Sequence, residues 1–291
     1  MMKNDTKLGI TLMICTTVIF ALQDLLSRHL AANYNVYVVV MLRYWFFGIF
    51  AVTIATRRAG GLAAAARSRH PWVQLLRGLL LPAEICVMVV AFVQLGLVES
   101  HAIFAACPLL IAALSGPVLG ERVGWRRWAA IGAGFSGILV ILQPGSALFT
   151  PAGLIPLAAG FMFALYSLLT RYVARGDTAA TSFFWSGVIG ALAITPIGLW
   201  YWEPMTPGDQ VVMAALCVLG ALGHFLLIKV YEVAEASAVQ PFAYLHLVFA
   251  TLLGILVLGE DLRPAVGLGV SMVVAAGLFT LWRERRAKQR S

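Results

Sequence analysis

Long apolar stretches alternate with short polar breaks along the whole chain. Ten such stretches predict helices, at residues 8–30, 36–56, 72–95, 99–119, 126–142, 151–171, 178–200, 209–229, 235–258 and 264–282. Each has about the 20 residues with which a helix crosses a hydrocarbon core of about 30 Å. The stretches are rich in Leu, Ala, Gly and Val without long polar alternation, which favours helices over a β-barrel. The pattern therefore predicts an all-α polytopic membrane protein with ten transmembrane helices.

Composition strengthens the membrane prediction. The 291-residue chain is 61% hydrophobic and 12% charged, whereas about 25% of the residues in a soluble domain are charged. Ten spans use almost the whole chain, so we expect no separate soluble domain. The longest break, residues 57–70, contains a helix-prone stretch at 62–66 and predicts a short surface helix. The four cysteines show no metal-ligand spacing, and we expect neither a metal nor a cofactor.

The basic residues are unevenly distributed between the breaks. With the N-terminus placed in the cytoplasm, 17 of the 21 Lys and Arg residues fall in the breaks that face the cytoplasm. Cytoplasmic loops of membrane proteins are enriched in Lys and Arg. The distribution therefore predicts an even number of crossings, with both termini in the cytoplasm. It also explains the net charge of +8 as a topology signal, so we expect a lipid bilayer and no nucleic acid as partner.

Two segments of the chain resemble each other. Residues 109–142 and 247–281 each contain an apolar helix that ends in Leu-Gly-Glu, a short break and a second helix rich in Gly and Ala. The two Leu-Gly-Glu motifs lie five predicted spans apart, so the two copies have opposite orientations in the membrane. The pattern predicts two inverted five-helix halves, residues 1–145 and 146–291. Such halves can exchange inward-open and outward-open states around a central site.

The same segments resemble the EamA type of the drug/metabolite transporter superfamily. The resemblance rests on PLLIAALSGPVLGERVGWRRWAAIGAGFSGILVI at 108–141 and PFAYLHLVFATLLGILVLGE at 241–260. It implies ten helices in two inverted halves and secondary transport of a small molecule. In size and style the chain is most similar to the bacterial aromatic amino-acid exporters of that superfamily. Other branches carry nucleotide sugars, S-adenosylmethionine, riboflavin or drugs.

We therefore expect a secondary transporter in the bacterial inner membrane that exports small metabolites, amino acids first among them, by alternating access. The alternatives are a carrier of S-adenosylmethionine, a nucleotide or a vitamin, and an intramembrane enzyme. The chain contains no Walker A motif, which argues against ATP-driven transport by this chain. It also contains no HExxH motif or comparable constellation, so we expect it not to be an enzyme.

Ionisable and polar residues inside spans are costly, and most of them face a cavity or one another. The candidates for substrate binding are Asp24, Arg43, Glu84, Tyr166, His224, Gln240, Tyr244 and His246. Glu84 lies near the middle of the third span, where a charge costs most. It could bind a substrate ammonium group or carry a proton. Alternatively it could have a structural role, either as a pair with Arg43 or as a protonated carboxyl bonded to a neighbouring helix.

Several polar residues in the spans can also be explained by a purely structural role. Asp24 and Arg28 are four residues apart on one helix face and could pair with each other. Arg77 lies near the cytoplasmic end of its span and could reach the interface as an anchor. Gln240 and Tyr244 share a helix face, whereas His246 points to the other side.

The fifth and tenth spans are nearly free of polar groups. They carry small residues at close to four-residue spacing, which lets helices approach closely. These are Ala130, Gly134 and Gly137 in the fifth span, and Gly267, Ser271 and Ala275 in the tenth. The family resemblance implies that both spans lie at the periphery and could support a homodimer. Glu121 and Glu260 are then structural, as caps of the following helix or as ligands of loop groups.

Overall fold

The computed structural model describes residues 5–58, 61–120, 125–142 and 151–288. Those residues form helices joined by short turns, with no strand among them. The helices are α1 (Thr6–Asn33), α2 (Val36–Arg58), α3 (Leu62–Ala66), α4 (Pro71–Leu95), α5 (Leu97–Phe104), α6 (Ala106–Leu119), α7 (Trp125–Leu142), α8 (Pro151–Val173), α9 (Ala179–Trp200), α10 (Pro207–Val233), α11 (Ala236–Leu258) and α12 (Pro264–Lys288). The all-helical prediction is confirmed, and α3 coincides with the predicted short surface helix.

Seven helices are long and apolar enough to cross a membrane: α1, α2, α4, α8, α9, α10 and α11. The fourth predicted span is divided between α5 and α6. The stretch from Leu97 to Leu119 is bent by 42° between Ile111 and Ala113, and it counts as an eighth crossing if it is one broken span. The fifth and tenth predicted spans coincide with α7 and α12, which are not among the seven. Ten crossings therefore stay a prediction.

Local sequence signals explain where several helices begin and end. Asp5 and Thr178 accept hydrogen bonds from backbone N–H groups in the first turns of α1 and α9, as N-cap side chains do. At the other end, α6 stops at Gly120 (φ 71°) and α11 stops at Gly259 (φ 66°). Both glycines adopt the left-handed conformation that favours Gly at helix ends. The two Leu-Gly-Glu motifs thus end their helices in the same way.

The helices pack in pairs that bring distant parts of the chain together. The helix α1 packs against α10 and α11, while α8 packs against α4 and α6. Two further close pairs are α2 with α9 and α7 with α12. The last pairing places α7 and α12 against each other within one chain, so their small residues need no second copy to explain them. The predicted homodimer stays a prediction.

Glycine allows α2 and α9 to approach closely. A Cβ atom at Gly190 would lie 2.1 Å from the ring of Tyr44, and one at Gly198 would lie 2.5 Å from Met41. The aromatic core continues from Tyr44 through Phe47 to Phe183, whose ring centroid lies 4.5 Å from that of Phe47. This tight pair of helices forms one wall of the interior.

Glu260 ends the second Leu-Gly-Glu motif and caps α5, a helix more than 150 positions earlier in the chain. Its carboxylate accepts hydrogen bonds from the backbone N–H groups of Leu97 (2.8 Å) and Val98 (2.7 Å), at the start of α5. The expected capping role is therefore seen, but on α5 rather than on the following helix α12. Glu121, the matching residue of the first motif, lies outside the described residues.

Candidate substrate cavity

A buried cavity lies among α1, α2, α4, α5, α8, α10 and α11. Its volume is about 50 Å³, well below the range of about 300–1,000 Å³ that is usual for small-molecule sites, so a substrate requires the lining side chains and helices to move apart. Its polar lining consists of Gln23, Asp24, Arg43, Glu84, His101, His224 and His246. The apolar lining consists of four phenylalanine rings, from Phe20, Phe92, Phe104 and Phe163, together with Ile85, Met88 and Val89. The cavity therefore offers both charged groups and flat apolar faces.

Five of the eight residues predicted to bind substrate line this cavity. They are Asp24, Arg43, Glu84, His224 and His246, and they come from five different helices. Glu84 is 4% exposed and Arg43 is 3% exposed, so both are shielded from the outer surface. Helix packing has thus brought together groups that are up to 222 positions apart in the chain.

Asp24 is the most connected acidic group of the cavity. Its Oδ2 atom lies 2.9 Å from Nε2 of His246, and its Oδ1 accepts a hydrogen bond of 3.2 Å from the side chain of Gln23. Within the described ranges, Asp24 forms no ion pair with Arg28. The interpretation of these two residues as a helical pair is therefore wrong, because Asp24 faces the cavity and its partners from other helices.

Arg43 and Glu84 line the same cavity without pairing with each other. Arg43 Nη2 lies 3.4 Å from Nε2 of His224. Its guanidinium is accommodated by Gly220, where a Cβ atom would lie 2.6 Å from Arg43 Nε. In the part of the chain that the structure describes, no ion pair within 4.0 Å joins Glu84 to Arg43. The alternative of a structural pair is therefore not supported, and both charges line the cavity.

A second compartment, also of about 50 Å³, adjoins the first. The two compartments share the rings of Phe20, Phe104 and Phe163. They also share the imidazoles of His101 and His246. The second compartment is more apolar, and its lining also includes two further predicted residues.

These two are Gln240 and Tyr244, one helical turn apart on α11. Gln240 donates a 2.9 Å hydrogen bond to the hydroxyl of Tyr231. The buried hydroxyl of Tyr244 has no hydrogen-bond partner among the described residues. This compartment thus offers an unengaged hydroxyl beside apolar walls.

The eighth predicted residue, Tyr166, lies beside the cavity rather than in its lining. It is fully buried, and the guanidinium of Arg77 lies 5.0 Å from its ring centroid. Arg77 also donates a 2.9 Å hydrogen bond to Oγ1 of Thr170 and one to the side chain of Gln74. The interpretation of Arg77 as an interfacial anchor is wrong, because its polar partners on α4 and α8 hold it in the interior.

His101 is a cavity residue that was not predicted. It is 2% exposed, and its Nε2 lies 3.1 Å from Oδ2 of Asp24. The only signal in the sequence is a histidine two residues inside the predicted start of the fourth span, where we expected a membrane boundary. The structure begins α5 earlier, at Leu97 after Gly96 (φ 85°), and this places the imidazole in the interior.

Asp24, His101 and His246 together form a cluster of metal-ligand types. Each offers one ligand atom, and these atoms lie within 4.8 Å of one another. The sequence led us to expect no metal, because the three residues are too far apart in the chain to show ligand spacing.

Comparison with known proteins identifies the kind of protein. Residues 7–143 and 151–282 match the EamA-like transporter family. A solved crystal structure superposes with a TM-score of 0.70 at 18% sequence identity, covering 95% of this chain and 98% of the other. That likeness concerns the fold alone.

Relatives with names come from bacteria. The chain is 25% identical over 282 residues to a protein named as an S-adenosylmethionine uptake transporter of Rickettsia prowazekii, covering 96% of this chain and 94% of the relative. It is 34% identical over 197 residues to a riboflavin transporter of Vibrio cholerae, covering 66% and 65%. A riboflavin transporter of Rhizobium johnstonii is 29% identical over 253 residues, covering 85% and 82%. None of these three is named as an amino-acid exporter.

Proposed function

Because the chain belongs to the EamA-like transporter family, we propose that this membrane transporter carries S-adenosylmethionine or a substrate with the same set of charges. The observation that carries the proposal is the cavity lining, in which Asp24, Glu84 and Arg43 surround a space bordered by four phenylalanine rings. The names of the Rickettsia relatives support uptake rather than the export expected from the sequence.

The charges of the cavity complement those of this substrate. S-adenosylmethionine carries an ammonium group, a sulfonium group and one carboxylate. Asp24 and Glu84 match the two positive groups, and Arg43 matches the carboxylate. A buried charge without a partner is costly, so a substrate that neutralises Glu84 and Arg43 gains affinity. Asp24 already contacts His246 and Gln23, and a positive group of the substrate would add to those contacts. Amino acids alone, the substrates expected from the sequence, would leave one carboxylate of the cavity unmatched.

The phenylalanine rings complement the rest of the substrate. Aromatic faces favour offset or edge-to-face contact with another flat ring, and an adenine ring offers such a face. Phe20 and Phe163 meet edge to face at 6.4 Å between centroids, and Phe104 lies 5.7 Å from Phe163. These rings border both compartments, so one end of a substrate can lie among charges and the other among rings.

Riboflavin is the second candidate, favoured by the relatives of Vibrio and Rhizobium. The more apolar compartment, with the unengaged hydroxyl of Tyr244, suits a large flat ring that carries hydroxyl groups. Riboflavin has no charge, however, and would leave Glu84 without a charged complement and Arg43 with only its 3.4 Å contact to His224 among the described residues. For this reason we rank it below S-adenosylmethionine.

For the transport cycle we propose alternating access between two inverted five-helix halves, residues 1–145 and 146–291. The helix pairing supports this proposal. Exchanging each helix for its counterpart five spans away turns the pair α1 and α10 into α8 and α4, and the pair α1 and α11 into α8 and α6. The cavity lies between the halves, with Asp24, Arg43, Glu84 and His101 in the first and His224 and His246 in the second. Cytoplasmic termini and an inner-membrane location stay part of the proposal.

Uptake into proteoliposomes tests the substrate. Purified protein is reconstituted, and flux of radiolabelled S-adenosylmethionine, riboflavin and phenylalanine is measured against protein-free vesicles. We expect saturable flux of radiolabelled S-adenosylmethionine. S-adenosylhomocysteine should inhibit it at least tenfold more weakly than unlabelled S-adenosylmethionine does, because its sulfur is uncharged and one interaction of about 1.5–3 kcal/mol is lost. Saturable riboflavin flux without S-adenosylmethionine flux would replace the first candidate by the second. Equal inhibition by S-adenosylhomocysteine and unlabelled S-adenosylmethionine would show that the sulfonium charge is not recognised.

A further inference from the structure

The cluster of Asp24, His101 and His246 has the composition and shape of a metal site. The three side chains project from α1, α5 and α11 toward one point at the boundary of the two compartments. Both imidazole Nε2 atoms lie close to a single carboxylate oxygen, Oδ2 of Asp24, at 2.9 Å for His246 and 3.1 Å for His101. We propose that these three residues bind a divalent transition-metal ion of the Zn²⁺ class.

The distances fit three ligands of one ion. Ligand atoms that each lie about 2.1 Å from a metal are about 3.0 Å apart at a right angle and about 3.4 Å apart in a tetrahedron. The two Asp24–histidine distances, 2.9 Å and 3.1 Å, are close to this range, and all three ligand atoms lie within 4.8 Å of one another. Two imidazoles and one carboxylate select Zn²⁺, Co²⁺ or Ni²⁺ over Mg²⁺ and Ca²⁺, which prefer sites made of oxygen atoms.

Two observations support a metal site: one nitrogen atom of the cluster lacks a hydrogen-bond partner among the described residues, and the carboxylate is held by a neighbouring side chain. The Nε2 atom of His101 is buried and lies 3.1 Å from Oδ2 of Asp24. It nevertheless has no hydrogen-bond partner in the described ranges. A buried polar atom without a partner is costly and calls for an explanation. The other oxygen of Asp24 accepts the side-chain hydrogen bond of Gln23, which orients the carboxylate as outer-shell partners do in metal sites.

An ion can reach the cluster from the cavity. The side chains of Asp24 and His246 keep 12% and 16% of their surface exposed, whereas His101 keeps 2%. Three protein ligands leave a fourth position for water or for a substrate group. If the proposed cationic substrate uses Asp24, a bound ion competes with it, and Zn²⁺ inhibits transport. This last consequence rests on the proposed function, whereas the metal site itself does not.

Cobalt titration tests the site without any transport assay. Protein purified through a tag without histidines is titrated with Co²⁺ and followed by visible absorption, with competing Zn²⁺ titration by calorimetry. We expect one ion per chain and the d–d absorption of a low-coordinate Co²⁺ site. The His101→Gln and His246→Gln variants should each bind at least about tenfold more weakly, because loss of a ligand exceeds the effect of an outer-shell change.

Two histidine controls separate this site from adventitious binding. His29 pairs with Asp209 at 2.9 Å away from the cavity, and His224 lies in the cavity beside Arg43. Neither His29→Gln nor His224→Gln should change the affinity for Co²⁺. Thermal unfolding and gel filtration establish that each variant is folded. Equal Co²⁺ binding by wild type, His101→Gln and His246→Gln, or equal losses in all four variants, would overturn the proposal whatever the transport assay shows.

Discussion

Arg43 and Arg77 are both buried arginines on membrane helices, yet their surroundings differ. Arg77 donates to Thr170 and Gln74 and stacks on Tyr166. Among the described residues, Arg43 has one hydrogen-bond contact, 3.4 Å to His224, and otherwise borders the cavity. The first arginine completes a network, and the second leaves part of its guanidinium for a partner that enters the cavity.

The network around Arg77 extends to Asp177 between α8 and α9. Gln74 donates a 2.9 Å hydrogen bond to this carboxylate, which also accepts a 2.8 Å hydrogen bond from the backbone N–H of Arg69. A fully satisfied buried network rigidifies the structure, whereas unpaired buried groups are costly. Burial alone therefore does not mark a functional charge in this protein. What marks it is burial without a protein partner.

The largest effect should come from breaking the satisfied network. We expect Arg77→Met to lower the free energy of unfolding by about 3–5 kcal/mol, since it leaves Gln74 and Tyr166 without their buried partner. Arg43→Met is the matched control and should keep the unfolding temperature while it reduces S-adenosylmethionine transport. Thermal unfolding of both variants in detergent measures the difference. Equal destabilisation by the two substitutions would erase the distinction between the arginines.

Glu84, like Arg43, lines the cavity. Glu84→Gln keeps the shape of the side chain but removes its charge, so we expect S-adenosylmethionine transport to fall roughly 10–150-fold, for one lost interaction of about 1.5–3 kcal/mol. Riboflavin transport, if present, should change little because riboflavin carries no charge. Initial rates in proteoliposomes give both values. Unchanged S-adenosylmethionine transport in a folded variant would remove Glu84 from substrate binding.

Gly220→Ala sharpens the comparison by moving Arg43 without replacing it. The added Cβ atom would lie 2.6 Å from Arg43 Nε, and such overpacking costs about 1–3 kcal/mol. We expect weaker substrate binding, seen as a raised KM, because the guanidinium must leave its place. Gly208→Ala is the control, since no atom lies within 4 Å of the added group. A KM that matches the control would indicate that the position of Arg43 is unimportant.

The smallest effect concerns the contact between the second Leu-Gly-Glu motif and α5. Glu260→Gln replaces a charged cap of Leu97 and Val98 by a neutral one, and loss of a cap costs typically about 1 kcal/mol. Because α5 carries His101, we expect a small loss of stability together with weaker Co²⁺ binding. Hydrogen exchange at the first residues of α5 measures the local effect. Unchanged hydrogen exchange at these residues would show that Glu260 does not stabilise the start of α5.

The pattern of the chain predicted much of the fold, since apolar stretches of span length form helices wherever they are in contact with lipid. The ends of α6 and α11 were also predictable, because Leu-Gly-Glu places a glycine where the backbone turns left-handed. The polar positions in the spans pointed to the cavity for the same reason: a charge in a membrane helix needs a partner. Asp24, Arg43, Glu84, His224 and His246 follow from that rule alone.

Which of those charges have partners was decided by the tertiary structure. Nothing in the sequence around Arg77 distinguishes it from Arg43, because the groups that satisfy it include Thr170 and Tyr166, some 90 positions away on α8. Likewise, His101 joins Asp24 and His246 only because α5 begins at Gly96 and packs against α11. Local sequence determines whether a segment is a helix that tolerates lipid. Contacts between helices determine which polar groups are satisfied, and those contacts depend on the whole chain.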